Sequence, residues 1–292
     1  MKIQLKMALV FFLLFAAGVG SAFCRQPQTE PVTVQNVKGN IYMVKGGSGA
    51  NCGFYIGEKE VLVIDAKMSA ESARQMLDEI KKLTPKPVTT LIITHSDGDH
   101  VNGLGGFPKG LKIIAHPQTK KDMEEAFGKD DALKPLLAYL PTQTFAGSMD
   151  LKMGGETIRL LYFGQAHTSG DITVFFPAEK VAFVGDLVFL GRDPLIHKQK
   201  GGTSFGLVRN LQALLALDAD IYIPGHNDSA SKSDIETLMK GIQDKQAKIK
   251  AMIQEGKSLD DIKKAFGVES APGGRRFLSL AEVIYLDLTD KK

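Results

Sequence analysis

The run Val88-Thr89-Thr90-Leu91-Ile92-Ile93 lacks the regular polar alternation of a half-solvated strand and stops at Thr94-His95. A strand of this kind must be buried on both faces, as in a sheet covered by helices. The run at 88–93 therefore points to a strand in a sheet covered by helices. In open α/β sheets, functional groups gather beyond the carboxyl ends of the strands, where rigid strands hold converging loops. Here that end opens on Ser96-Asp97-Gly98-Asp99-His100.

The rest of the pattern agrees. Strand-like segments at 32–37, 41–44, 53–56 and 61–64 are punctuated by Lys38-Gly39-Asn40 and Gly57-Glu58-Lys59 and predict a β-meander. Ala73, Met76, Leu77, Ile80 and Leu83 then recur at helical spacing, predicting a helix over 70–83. A strand at 111–115 and a helical stretch at 118–140, broken at Pro135, complete the first half. The second half repeats the plan with strands at 157–162, 172–176, 181–184 and 221–223 and a helix at 205–217. A long amphipathic helix follows on Ile235, Leu238, Met239, Ile242, Ile249, Met252 and Ile253, with capping-box spacing at Ser233 to Glu236. Terminal helices are expected at 258–266 and 278–286. Two β-rich halves, each flanked by helices, predict a layered sandwich with the helices outside two sheets.

With 43% hydrophobic and 24% charged residues, the chain has ample material for a core. A formal charge of +3 gives no argument for nucleic acid, and the lysines between Lys240 and Lys250 alternate with the apolar stripe as a solvated helix face. Lys2 and Lys6, the apolar run 7–20 and Gly20-Ser21-Ala22 have the form of a bacterial export signal cleaved after Ala22. The expected organisation is a signal peptide at 1–22, a polar linker at 23–31 and one domain at 32–292, periplasmic or secreted, with no membrane span left after cleavage. Phe23 argues against a lipidated Cys24, and two cysteines make a poor disulfide framework, so Cys52 is expected to be a small buried thiol.

The chain has only six histidines. Four of them, His95, His100, His167 and His226, follow apolar strands or sit in loops bounded by glycine, and Asp97, Asp99 and Asp186 share those contexts. Two imidazoles and two carboxylates crowded into 95–100 would repel one another and lose solvation unless a cation joined them. Mixed nitrogen and carboxylate donors suit zinc, iron or manganese. His116 is expected to be structural and His197, in the loop 191–202 at the edge of the site, a plain surface residue, with a substrate contact as the alternative.

The segment Thr94 to His100 resembles the H-x-H-x-D-H signature of the metallo-β-lactamase superfamily, with one substitution. Val63-Ile64-Asp65 is similar to that family's early strand ending in Asp. Gly164-Gln165-Ala166-His167-Thr168-Ser169-Gly170-Asp171 resembles its third-ligand loop, Phe183-Val184-Gly185-Asp186 its strand ending in a bridging Asp, and Ile223-Pro224-Gly225-His226 its last-ligand loop. The resemblance implies an α/β fold, the four-layer αββα sandwich of the metallo-β-lactamase fold, and a metallo-hydrolase. It also implies two divalent transition metals, zinc first, with iron or manganese as alternatives. One would be held by His95, Asp97 and His167, the other by Asp99, His100 and His226, with Asp186 bridging. Asp99 would have a catalytic part as well, orienting a hydroxide between the metals. Asp65 would hold the His95 loop by hydrogen bonds without touching a metal.

Position 97 is where the chain departs from the family, which carries His there. An Asp is shorter and negative but still ligates, and a third carboxylate shifts preference from zinc toward iron or manganese. The flavodiiron branch of the superfamily also has an acidic residue at this point, which opens a di-iron redox alternative, although those proteins use an attached flavin domain that this sequence does not supply. Asp186 points away from the true β-lactamases, which generally carry Cys or Ser there. The expectation is an exported hydrolase that cleaves an ester, thioester, lactone or amide-like bond in a small-molecule substrate, with β-lactam hydrolysis as the alternative.

Overall fold

In the computed structural model, which describes residues 30–268 and 277–290, the first sheet begins as the expected meander. The expected signal peptide, Cys24 and all of the linker before Glu30 lie outside the described residues. Strands β1 (Thr33–Lys38), β2 (Ile41–Lys45), β3 (Cys52–Ile56) and β4 (Val61–Ile64) pair antiparallel in sequence order. Helix α1 (Ala70–Leu83), capped by the Ser69 hydroxyl accepting from Ser72 N, then returns the chain so that β5 (Val88–Ile92) lies parallel to β4. A one-turn helix α2 (Gly98–Val101) follows β5. Strand β6 (Lys112–Ala115), helix α3 (Pro117–Lys129) and the short strand β7 (Gln143–Thr144) complete this half, for a seven-stranded sheet.

The second sheet has five strands. Strands β8 (Ser148–Met153), β9 (Glu156–Leu161), β10 (Thr173–Phe176) and β11 (Val181–Gly185) are antiparallel. Helix α4 (Ser204–Ala216) then crosses over, so β12 (Ile221–Pro224) joins β11 in parallel. Helices α5 (Lys232–Gln254), α6 (Leu259–Ala265) and α7 (Leu280–Thr289) close the chain. No helix among the described residues is long and apolar enough to cross a membrane.

Successive strand residues face opposite ways, and that alternation sorts the core into three layers. Leu62, Ile64 and Ile92 of the first sheet meet Val174, Phe176, Val181 and Phe183 of the second. Their neighbours Val61, Val63 and Leu91 point outward onto Met76 and Ile80 of α1 and Met123 and Phe127 of α3. On the far side, Phe175, Ala182 and Val184 pack on Leu207 and Leu211 of α4, Ile235 and Ile242 of α5, and Val283 and Ile284 of α7. Three apolar interfaces between four layers constitute the αββα sandwich, and each fully buried Leu, Ile or Phe contributes about 1.5–3 kcal/mol to it. Cys52 is part of the core behind α1, a free thiol that burial pushes up to about 11.

Three local expectations are corrected. The helical stretch at 118–140 breaks at 130–133: α3 ends at Lys129, and Pro135 instead starts a separate 3-10 helix, Lys134–Tyr139, where its missing N–H costs nothing. Strand β8 was not expected. It is an edge strand whose Met149, Leu151 and Met153 face inward while Ser148, Asp150 and Lys152 are exposed, and it turns into β9 through Gly154 and Gly155, both at positive φ (58° and 86°). The capping box of α5 is Ser231 with Asp234, not Ser233 with Glu236. Ala230 is still bridged to Tyr222 of β12, so Ser231 is the first residue free to cap.

Candidate metal centre

The parallel strands set the site. Asp65 follows β4, Thr94 and His95 follow β5, Asp186 follows β11 and His226 follows β12, all at carboxyl ends. Asp97 is the N-cap of α2, and the short helix places Asp99 and His100 one turn on. His167 comes from the loop joining β9 to β10. All the residues expected as ligands are brought together. Three overlapping groups, His95–Asp97–His167, His95–His100–Asp186 and Asp99–His100–His226, each have ligand-type atoms within 4.8 Å of one another.

Asp97 Oδ2 lies 3.0 Å from His167 Nε2 and 3.8 Å from His95 Nε2. Asp99 Oδ2 lies 3.1 Å from His226 Nε2 and 3.9 Å from His100 Nε2. Asp186 sits between the two sets, with Oδ1 3.2 Å from His100 Nε2 and Oδ2 3.4 Å from His226 Nε2 and 4.0 Å from His167 Nε2. Gly225 makes room for this: a Cβ there would stand 2.1 Å from Asp186 Oδ1 and 2.7 Å from His100 Cε1.

Hydrogen bonds on the far side of each ring decide which nitrogen faces inward. Asp65 accepts from Thr94 N (2.8 Å), Thr94 Oγ1 (2.7 Å) and His100 Nδ1 (2.8 Å). It therefore holds the His95 loop as expected and also holds His100. With its proton given to Asp65, Thr94 Oγ1 is left to accept from His95 Nδ1 at 3.1 Å. His167 Nδ1 donates to Leu195 O at 2.7 Å. Each of these rings thus turns Nε2 toward the carboxylates. Asp171, overlooked in the sequence, accepts from Thr168 N (2.8 Å) and Thr168 Oγ1 (2.7 Å) and fixes the loop that carries His167.

Charge and burial pull the groups apart. Burial, then the charge of His100, holds His95 well below its ordinary value. Burial also opposes protonation of His100 and His167, but Asp186 and Asp65 raise His100 well above 6.5, and Asp97 raises His167 to about 9. The hydrogen bonds of Asp186 and Asp99 raise His226 to about 9 as well. Burial works to raise Asp97, Asp99 and Asp186, but the neighbouring imidazoles outweigh it and keep all three below the usual carboxylate range.

His197 corrects the sequence reading: it is buried, and its Nε2 lies 2.7 Å from Asp97 Oδ2. Lys200, which spacing did not flag, places Nζ 2.7 Å from Asp97 Oδ1. Both belong to a loop laced onto the His167 loop by His197 N to His167 O (2.8 Å), Thr203 N to Ala166 O (2.8 Å) and Ser169 N to Lys200 O (2.9 Å). Asp287 of α7 clamps its base, accepting from Lys198 Nζ, Ser204 N and Ser204 Oγ, each at 2.7 Å. His116 is structural as expected, capping α3 and stacked on Tyr162.

The residues present fit a pair of metal ions. His95 Nε2, His100 Nε2 and Asp186 Oδ1 are buried without a well-aligned hydrogen bond, all in this one cluster. An unsatisfied buried polar atom costs about 1–3 kcal/mol, so a fold keeps several together only where they bind something. Above them opens a cleft of 470 Å³, edged by Met68, Phe189, Arg192 and Phe277. The Arg192 guanidinium lies over the Phe189 ring at 4.7 Å and has no carboxylate partner among the described residues.

Residues 46–226 match the family described as the metallo-beta-lactamase superfamily. The chain is 30% identical over 208 residues to the 2,4-dinitroanisole O-demethylase subunit alpha of Nocardioides sp. (strain JS1661), covering 70% of this chain but only 60% of that protein. It is 27% identical over 255 residues to the type 2 metallo-beta-lactamase of Elizabethkingia meningoseptica, covering 82% of this chain and 96% of that one. Among solved structures, a metallo-beta-lactamase from Pontibacter korlensis superposes with a TM-score of 0.62 over 73% of this chain and 99% of that one, at 19% identity, a likeness of fold.

Proposed function

The chain belongs to the metallo-β-lactamase superfamily of metallo-hydrolases, and from that premise we propose that it is an exported enzyme that hydrolyses an ester, thioester, lactone or amide-like bond at a two-metal site. The observation that carries this is the convergence of buried nitrogen and oxygen atoms from His95, His100 and Asp186, none with a well-aligned hydrogen bond, on one spot under an open cleft. His95, Asp97 and His167 would hold one metal, and Asp99, His100 and His226 the other, with Asp186 between them. Zinc suits these donors best, with iron or manganese as alternatives. Bound there, the metals would supply an acidified water and a charge to receive the leaving group.

The protein's own groups do the rest. Asp99, 28% exposed at the cleft floor, is placed to take the proton of the attacking water and to orient it. Asp65 and Leu195 O keep the Nε2 atoms of His100 and His167 directed inward. The apolar side chains of Met68 and Phe277 suit an apolar substrate body, and Arg192 suits an anionic group on it. The name of the Elizabethkingia relative supports β-lactam hydrolysis as the second reading. Export rests on the form of the first 22 residues and is tested by the N-terminal sequence of protein recovered from the periplasm or medium.

The test is elemental analysis and zinc titration of purified protein, then a chromogenic panel of ester, thioester, lactone, amide and cephalosporin substrates. Between one and two metals per chain and turnover outside the cephalosporin are expected. Protein that takes up no zinc, iron or manganese refutes the metal reading, and cephalosporin turnover far above every other class makes the enzyme a β-lactamase.

A further inference from the structure

Resting on that two-metal reading, we propose that Lys200 is the charge partner that lets Asp97 stand where the family carries His. A neutral imidazole brings no charge to a metal position, whereas a carboxylate brings one negative charge. The ammonium of Lys200 returns the balance: Nζ lies 2.7 Å from Asp97 Oδ1 and is held there by Ser96 O and Ser96 Oγ, both at 3.2 Å. The same contact occupies Oδ1, so Oδ2, facing His95 and His167, is the oxygen left for the metal. His197, on the same loop as Lys200, places Nε2 2.7 Å from Oδ2, on the side of the ligand histidines. Asp97 is thereby fixed as a ligand through one oxygen, and its bidentate mode is closed.

This pair is built, not incidental. The two residues are 103 apart in sequence, and the backbone that delivers Lys200 is bonded to the His167 loop on one side and clamped by Asp287 on the other. The cation is also directed to one carboxylate of the three. Among the described residues, the ion pairs of Asp99 and Asp186 are with histidines alone. Asp97, the position that departs from the family, is the one given a lysine. It follows that the third carboxylate does not harden the centre, and that the preference of the first position for zinc over manganese depends on Lys200.

Lys200→Met keeps the stem and removes the charge, leaving Asp97 free to chelate through both oxygens. Zinc and manganese affinities of metal-free protein, measured by calorimetric competition and by the manganese spin-resonance signal, are the readout. The manganese-to-zinc affinity ratio is expected to rise by about tenfold or more in Lys200→Met, the size of effect usual for residues supporting a metal ligand, and to stay at the wild-type value in Lys200→Arg. The double variant Asp97→His/Lys200→Met restores a neutral donor without the cation and should return to the wild-type ratio. A Lys200→Met ratio within about twofold of wild type, or a double variant no nearer to wild type than the single one, overturns the assignment. Wild type that binds no metal would instead overturn the two-metal reading beneath it.

Discussion

Replacing Asp65 by Asn exchanges one carboxylate oxygen for an amide nitrogen and should weaken the second metal position. Asp65 is 2% exposed and accepts three hydrogen bonds, from Thr94 N, Thr94 Oγ1 and His100 Nδ1. The Asn carbonyl can still accept from Thr94 N. Its amide, however, meets the Thr94 hydroxyl and His100 Nδ1–H as donor against donor. Thr94 can rotate its proton away, but His100 can comply only by moving its proton to Nε2, the atom 3.2 Å from Asp186 Oδ1 that must offer a lone pair to a metal. Hydrogen bonds to a charged acceptor contribute about 1.5–3 kcal/mol each, so losing two of them should destabilise metal-free protein by roughly 3–6 kcal/mol. Zinc affinity at the second position should fall about 10- to 100-fold, or 1.4–2.8 kcal/mol, from the wrong tautomer. Urea unfolding of the metal-free protein reads the first quantity and calorimetric zinc titration the second. If Asp65→Asn leaves both the unfolding midpoint and the zinc affinities at wild-type values, the tautomer argument is wrong.

Asp99→Asn and His167→Ala should each abolish hydrolysis while leaving the circular dichroism spectrum intact, since Asp99 on the one-turn helix α2 and His167 on its loop lie over a core that does not use them; loss of the fold would make the metals structural. In the metal-free protein, His167 and His226 are held at about 9 against an ordinary 6.5, so the folded chain binds these protons more tightly than the unfolded one. The stabilisation is complete below pH 6.5 and is lost as pH rises through 9, so the Tm of metal-free protein should fall across that window while zinc-loaded protein stays level; a flat metal-free profile would contradict the site's electrostatics. Gly225→Ala should lose metal and about 1–3 kcal/mol of stability through overpacking against Asp186 and His100, visible by metal analysis and thermal unfolding; unchanged metal content would show that the site can give way.

What the sequence made legible follows from how local each signal is. The ends of β4 and α1 are where periodicity places them, because continuous apolar runs and a 3.6-residue stripe are properties of short segments. His95, His100, His167, Asp186 and His226 were legible for the same reason, each lying just beyond a strand or between glycines. β8 was hidden because an edge strand alternates, and its Ser, Asp and Lys positions resemble a loop. Lys200 and His197 were hidden for a deeper reason. Their partner Asp97 is reached only through the path of the loop over the His167 segment, and no spacing within the sequence encodes that path.

The clamp at Asp287 bears on the order in which a working site can come into being. As the chain is made from its N-terminus, every candidate ligand through His226 has emerged well before Asp287. Until α7 docks, the loop carrying His197 and Lys200 lacks the carboxylate that fastens Lys198 and Ser204 at its base. An incomplete chain would thus present all its metal-binding side chains with Asp97 unguarded, open to whichever cation arrives first. If Lys200 sets the selectivity of the centre as proposed, that selectivity would depend on the last helix having docked, because Asp287 fastens the loop that carries Lys200.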